Sequence, residues 1–121
     1  MEHASILMTV RDDDRVPEAI RALVDSLEKG LEWVACEAND EALWEAVREE
    51  LTDALYAEWR LGTMVGDRPE QAFFVRCDRT TMTQEDIDNG RLVAVIGMSP
   101  LRPAEFVIVR IGQWTRDRRD P

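Results

Sequence analysis

Leu31-Glu32-Trp33-Val34-Ala35-Cys36-Glu37-Ala38-Asn39-Asp40-Glu41-Ala42-Leu43-Trp44 is the stretch from which the fold is read, since it joins an apolar run, a polar turn and a helix start without interruption. Trp33-Val34-Ala35-Cys36 is four residues long, entered from Gly30 and left through a polar turn; its length and flanks predict a buried strand. Asn39 or Asp40 then caps a helix, with a side-chain oxygen accepting from a first-turn amide and Glu41 placing negative charge at the positive end of the helix dipole.

Outward from this stretch, residues 40–61 predict a long helix with an apolar stripe of Leu43, Trp44, Val47, Leu51, Ala54, Leu55 and Trp59, stopped by Gly62 as a left-handed cap. Glu45, Glu49, Asp53 and Arg60 fall on its opposite side. Glu58 projects into the apolar sector, where it must snorkel, pair with an Arg near the helix end, or face a partner. Before the stretch, residues 16–28 predict a helix with Pro17 in its first turn and Ile20, Leu23, Val24 and Leu27 at helical spacing. Earlier still, Ile6, Met8 and Val10 share one face of a short strand that ends in a charged run.

After the second helix, residues 63–70 are turn chemistry, and residues 72–77 predict a strand with Phe73, Val75 and Cys77 on its inner face. Residues 84–90 read as a helical turn closed by Asn89-Gly90. Two final strands, 91–97 and 105–112, are linked through Pro100 and Pro103, and a polar tail follows. The expected fold is α/β (α+β), with two helices packed on one face of a small mixed sheet of about four strands and extended terminal arms. Residues 1–14 form an N-terminal arm or strand, 15–113 a single domain and 114–121 the C-terminal tail.

Twenty-five acidic residues against fifteen basic give a net charge of -10, which opposes nucleic acid and anionic membranes and favours basic partners. The 121 residues allow one core, and no apolar run approaches the roughly 20 residues of a membrane helix. Cys36 and Cys77 have no CxxC spacing; they read as small core residues in a reducing compartment, on strands that could lie side by side, and a cytoplasmic location follows. His3 is the only histidine, and the acidic groups at 12–14 and 37–41 lack the spacing of a calcium loop, so no metal or cofactor is expected. Nor is there a nucleophile elbow or a phosphate-binding glycine loop, and no small-molecule substrate is indicated.

Trp33-Val34 followed by Glu37-x-Asn39-Asp40-x-x-Leu43-Trp44 resembles the C-terminal domain of contractile tail sheath proteins. Gly62 and Gly66, Ala72-Phe73-Phe74-Val75-x-Cys77-Asp78, Gly90-Arg91-Leu92, and Gly97-x-x-Pro100-x-x-Pro103-Ala104-Glu105-Phe106-Val107 continue the resemblance in the same order, over residues 15–113. Ala35-Cys36 and Ala38 depart from it where the family often has bulkier residues and a proline, as does Glu58 where it often has an apolar one.

The resemblance implies a structural subunit of phage tails, R-type bacteriocins or related injection systems, without an active site, assembled in the cytoplasm into helical tubes around an inner tube. It also implies neighbouring subunits linked by terminal arms that add strands to each other's sheets. Ile6, Met8 and Val10 at one end, and Phe106, Ile108, Arg110 and Trp114 at the other, are the candidate interaction residues. Such arms are expected to be fixed only when a partner pairs with them, since ordering costs about 1–2 kcal/mol per residue. The expected partners are further copies or other sheath subunits, with a basic inner tube protein drawn to the acidic side of the second helix. Because typical sheath subunits carry a large N-terminal portion, the chain is expected to be an excised domain or a short end component such as a cap or initiator. The competing classes are an adaptor that dimerises through its last strand and a small acidic hydrolase using Glu37, Asp40 and Glu58.

Overall fold

The computed structural model describes residues 5–7 and 18–119. Its order is β1 (Ser5–Leu7), α1 (Glu18–Gly30), a 3-10 helix (Glu32–Cys36), α2 (Glu41–Arg60), α3 (Pro69–Ala72), β2 (Phe73–Arg76), α4 (Gln84–Asp88), β3 (Arg91–Met98) and β4 (Val107–Trp114). The strands form one sheet in the order β1-β4-β3-β2, and each described pairing is antiparallel. The α+β class and the four strands agree with expectation; the sheet is antiparallel, not mixed.

The two long helices form as their spacing dictates. Ile20, Val24 and Leu27 make the buried stripe of α1, and Leu43, Trp44, Val47, Leu51 and Leu55 that of α2. Asp40 caps α2 by accepting from the Leu43 amide at 2.9 Å. At the other end Gly62 adopts φ 90°, the Thr63 amide donates to the Glu58 carbonyl and the Gly62 amide to the Trp59 carbonyl, a paired closure of the last turn. The half-buried Glu58 carboxylate accepts from the Thr63 hydroxyl at 2.8 Å, so its partner belongs to the cap turn and is not an arginine.

The predicted strand at 33–36 is instead the 3-10 helix. Val34 donates to Leu31 and Glu37 to Val34, each at 3.0 Å, which brings Leu31 and Val34 to one side and buries both completely. Glu32, Trp33, Ala35 and Cys36 are exposed, so Cys36 is no core residue, while Cys77 is fully buried. The run of four apolar residues holds only one that is buried, Val34, and a period of three brings it to the same side as Leu31.

Register divides the sheet into two faces. Phe73, Val75, Leu92, Ala94, Ile96, Met98, Val107, Val109 and Ile111 alternate onto the inner face, where they join the core made with α1 and α2. Phe74, Arg76, Arg91, Val93, Val95, Gly97, Ile108, Arg110, Gly112 and Trp114 take the outer face.

Asn39 ties these parts together. Buried to 8% exposure, its side chain accepts from Trp44 Nε1 at 2.8 Å and donates to the Arg91 carbonyl at 3.3 Å, while its amide donates to the Asp117 carboxylate at 3.0 Å. One residue thus links the α2 entry, the start of β3 and the C-terminal tail. Asn39→Ala removes an acceptor and a donor from buried groups, and a loss of about 2–4 kcal/mol in urea unfolding is expected; a loss under about 1 kcal/mol would contradict this linking role.

Candidate interaction surface

β4 carries three of the seven predicted contact residues, and alternation places them together. Ile108, Arg110 and Trp114 stand on the outer face, and Phe106, just before the strand, meets Phe74 edge to face with ring centroids 5.1 Å apart. β1 pairs with β4 through the main chain, setting Ile6 opposite Arg110, so the first and last described strands meet at one sheet edge. Met8 and Val10 lie outside the described residues.

Across the strands the register lines up rows. Arg76, Val95 and Arg110 form one row, Phe74, Gly97 and Ile108 the next, and Arg91 pairs with Trp114 further along. A Cβ at Gly97 would lie 2.2 Å from the Phe74 ring, and one at Gly112 would lie 2.5 Å from the Arg91 guanidinium, so each glycine leaves the space that a large neighbouring side chain occupies. Trp114, 39% exposed, lies between cations, with Arg118 4.7 Å and Arg91 6.0 Å from its ring centroid. Among the described residues, no acidic side chain occupies an outer-face position of the sheet. Phe74, Arg76, Arg91 and Val95 were not among the predicted residues; alternation in β2 and β3 was the signal for them, but it acquires meaning only once the register is known.

The tail beyond β4 differs from an arm awaiting a partner. Thr115 donates to the Gly90 carbonyl through both its amide and its hydroxyl, Arg116 to the Glu37 carbonyl and Arg119 to the Asn89 carbonyl. Gly90, at φ 79°, passes so close that a Cβ would lie 2.3 Å from the Asp117 and Arg118 backbone. Residues 115–119 are therefore fastened to their own domain, where five or more local bonds offset the ordering cost.

The carboxylates proposed for an enzymatic centre do not converge. Asp40 caps α2, Glu58 is bonded to Thr63, and Glu37 is exposed. Among the described residues no group of three or more His, Cys, Asp or Glu is placed to hold a metal ion, and no helix is long and apolar enough to cross a membrane. A cleft of about 700 Å³ between the start of α2 and the β2–α4 loop is lined by Glu41, Trp44, Arg48, Asp78, Arg79 and Thr80. Its groups are committed: Arg48 donates to the Cys77 carbonyl at 2.6 Å, Arg79 lies over Trp44, and hydrogen bonds from Thr80 hold the Asp78 carboxyl below its usual range.

The family model "Phage tail sheath C-terminal domain" matches residues 12–113. No curated protein matches. A solved structure that resembles this one is the sheath complex, in its contracted state, of the extracellular contractile injection system PVC; it is 32% identical, with a TM-score of 0.64 over 81% of this chain. The chain spans 27% of the length of that sheath chain.

The two cysteines give this surface an internal reference. Burial pushes the Cys77 thiol up to about 12 despite the neighbouring Arg48, whereas Cys36 is exposed. At about pH 8 a thiol reagent is expected to modify one cysteine per folded chain and both after denaturation. Because the folded-state value lies above the unfolded one, the contribution of the buried thiol is complete below about pH 8.5 and is lost as pH rises towards 12, so unfolding should become easier across that window. Equal labelling of both thiols in the folded chain would contradict the burial of Cys77.

Proposed function

Because the chain belongs to the phage tail sheath C-terminal domain family, we propose that it works as part of a structural sheath subunit in a contractile tail or injection system. Its partners are further sheath subunits, its role is assembly and not catalysis, and it is assembled in the cytoplasm before the particle acts. A basic inner tube protein is a second partner, a reading supported by the net charge of -10.

The observation that carries the assembly reading is the edge pairing of β1. Ser5, Ile6 and Leu7 pair with Ile111, Arg110 and Val109 through main-chain bonds, and these are the three residues over which β1 is described. Such a strand is held to its sheet by few bonds, and the same edge of β4 accepts an equivalent strand from another chain with identical bonding. Exchange of this strand joins the start of one chain to the end of the next. Repetition then gives an open series, since each chain offers one strand and one edge.

The register supplies the test. Ile6→Cys and Arg110→Cys, with Cys36→Ser, place two thiols at directly opposed positions of an antiparallel pair, within disulfide reach. Oxidation at rising concentration is expected to give a ladder of covalently joined chains on a non-reducing gel. A ladder that stops at two indicates closed dimers and the adaptor reading, and cross-links confined to single chains at every concentration overturn strand exchange.

A further inference from the structure

The outer sheet face and α2 differ in the sign of their charges. The outer sheet face bears Arg76, Arg91 and Arg110 and no acidic residue, while α2, packed on the inner face, contains six acidic residues and two arginines. Of those two, Arg48 is turned towards the Cys77 carbonyl at the sheet edge, away from the exposed side of the helix, and the exposed Arg60 is the last residue of the helix, two turns beyond Asp53. Glu45, Glu49 and Asp53 are all exposed, at four-residue spacing, and none forms an ion pair with a described residue. A basic face and an acidic stripe therefore look outward from opposite sides of the same two-layer molecule.

We propose that the outer sheet face docks on the exposed side of α2 of a second copy of this chain. The dimensions agree. Glu45 and Asp53 lie about 12 Å apart along a helix, and Arg76 and Arg110, two strand spacings apart, are about 10 Å apart. A helix laid across the strands sets the two outer carboxylates against the two guanidinium groups, and Glu49 stands between them. The half-buried Phe74, Val95 and Ile108 give the contact an apolar floor. Because the two surfaces differ and lie on opposite sides, the contact is heterologous and leaves one of each free at the ends of any chain of copies. The sheet face covers about 500 Å² per partner, below the usual size of a stable pair, so the contact gains its strength from repetition in an assembly.

The contact rests on the assembly reading only for the identity of the partner, and its chemistry separates it from strand exchange. Main-chain pairing is little affected by salt, whereas opposed charges at an exposed face are screened. Sedimentation of the intact chain, at up to about 1 mM protein in about 20 mM and about 0.5 M salt, would be compared with two double variants. These are Arg76→Glu with Arg110→Glu, and Glu45→Arg with Asp53→Arg.

Self-association in low salt is expected to weaken at least about tenfold in each variant alone and in high salt. An equimolar mixture of the two is expected to regain it to within about threefold, because each reversed surface then meets its complement; that recovery also shows both variants folded. Association that persists through both reversals and high salt overturns the contact and leaves strand exchange standing. A mixture that does not recover, or an intact chain that stays monomeric in low salt, also overturns it.

Discussion

A buried carboxamide cannot be left half satisfied, and Asn39 meets that constraint by drawing two distant parts of the chain to the start of the helix that follows it. Its oxygen takes the Trp44 indole proton, its nitrogen finds the Arg91 carbonyl, and its own amide finds Asp117. Trp44 lies in the first turn of α2, Arg91 opens β3 and Asp117 lies in the tail, so satisfying the amide fixes the entry of α2, the first residue of β3 and the path of the tail together. The inner face then closes around Leu92, Ala94 and Ile96, all fully buried, and the helix layer cannot rotate over the sheet without exposing them.

How much of this was legible in the sequence depends on the range of the interaction. The α2 helix, a cap at Asn39 or Asp40 and the Gly62 stop could be read, because each is settled within five residues; the structure selects Asp40. The antiparallel sheet was open to a mixed reading, because alternation reports which residues share a face and not the direction of a neighbour. Trp33-Val34-Ala35-Cys36 was misread because burial of Leu31 and Val34 alone fits a period of three, and four residues cannot distinguish that from a strand. The anchoring of the tail could not be read at all. It depends on bonds between residues 25 to 79 positions apart, made by residues that look like ordinary turn and cap residues.

The contact surface was legible on one strand only. Phe106, Ile108, Arg110 and Trp114 share a face by simple alternation along β4, but the rows they form with Phe74, Arg76 and Val95 require the register of three strands. The overall charge likewise concealed the basic face. A sum of -10 describes the whole chain, whereas recognition is governed by the local field over each side, and the outer face of the sheet has the opposite sign to the sum.

The spaces left by Gly97 and Gly112 bear on the entropy of recognition. With Phe74 lying over Gly97 and Arg91 over Gly112, two of the bulkiest side chains on the outer face are already packed against the sheet backbone, and Trp114 is flanked by two arginines. Immobilising one such side chain on binding ordinarily costs about 0.5–1.5 kcal/mol. Here that loss of freedom occurs when the domain folds, so a surface approaching this face meets a rigid relief and not a brush of mobile chains, and its association is correspondingly less opposed by entropy.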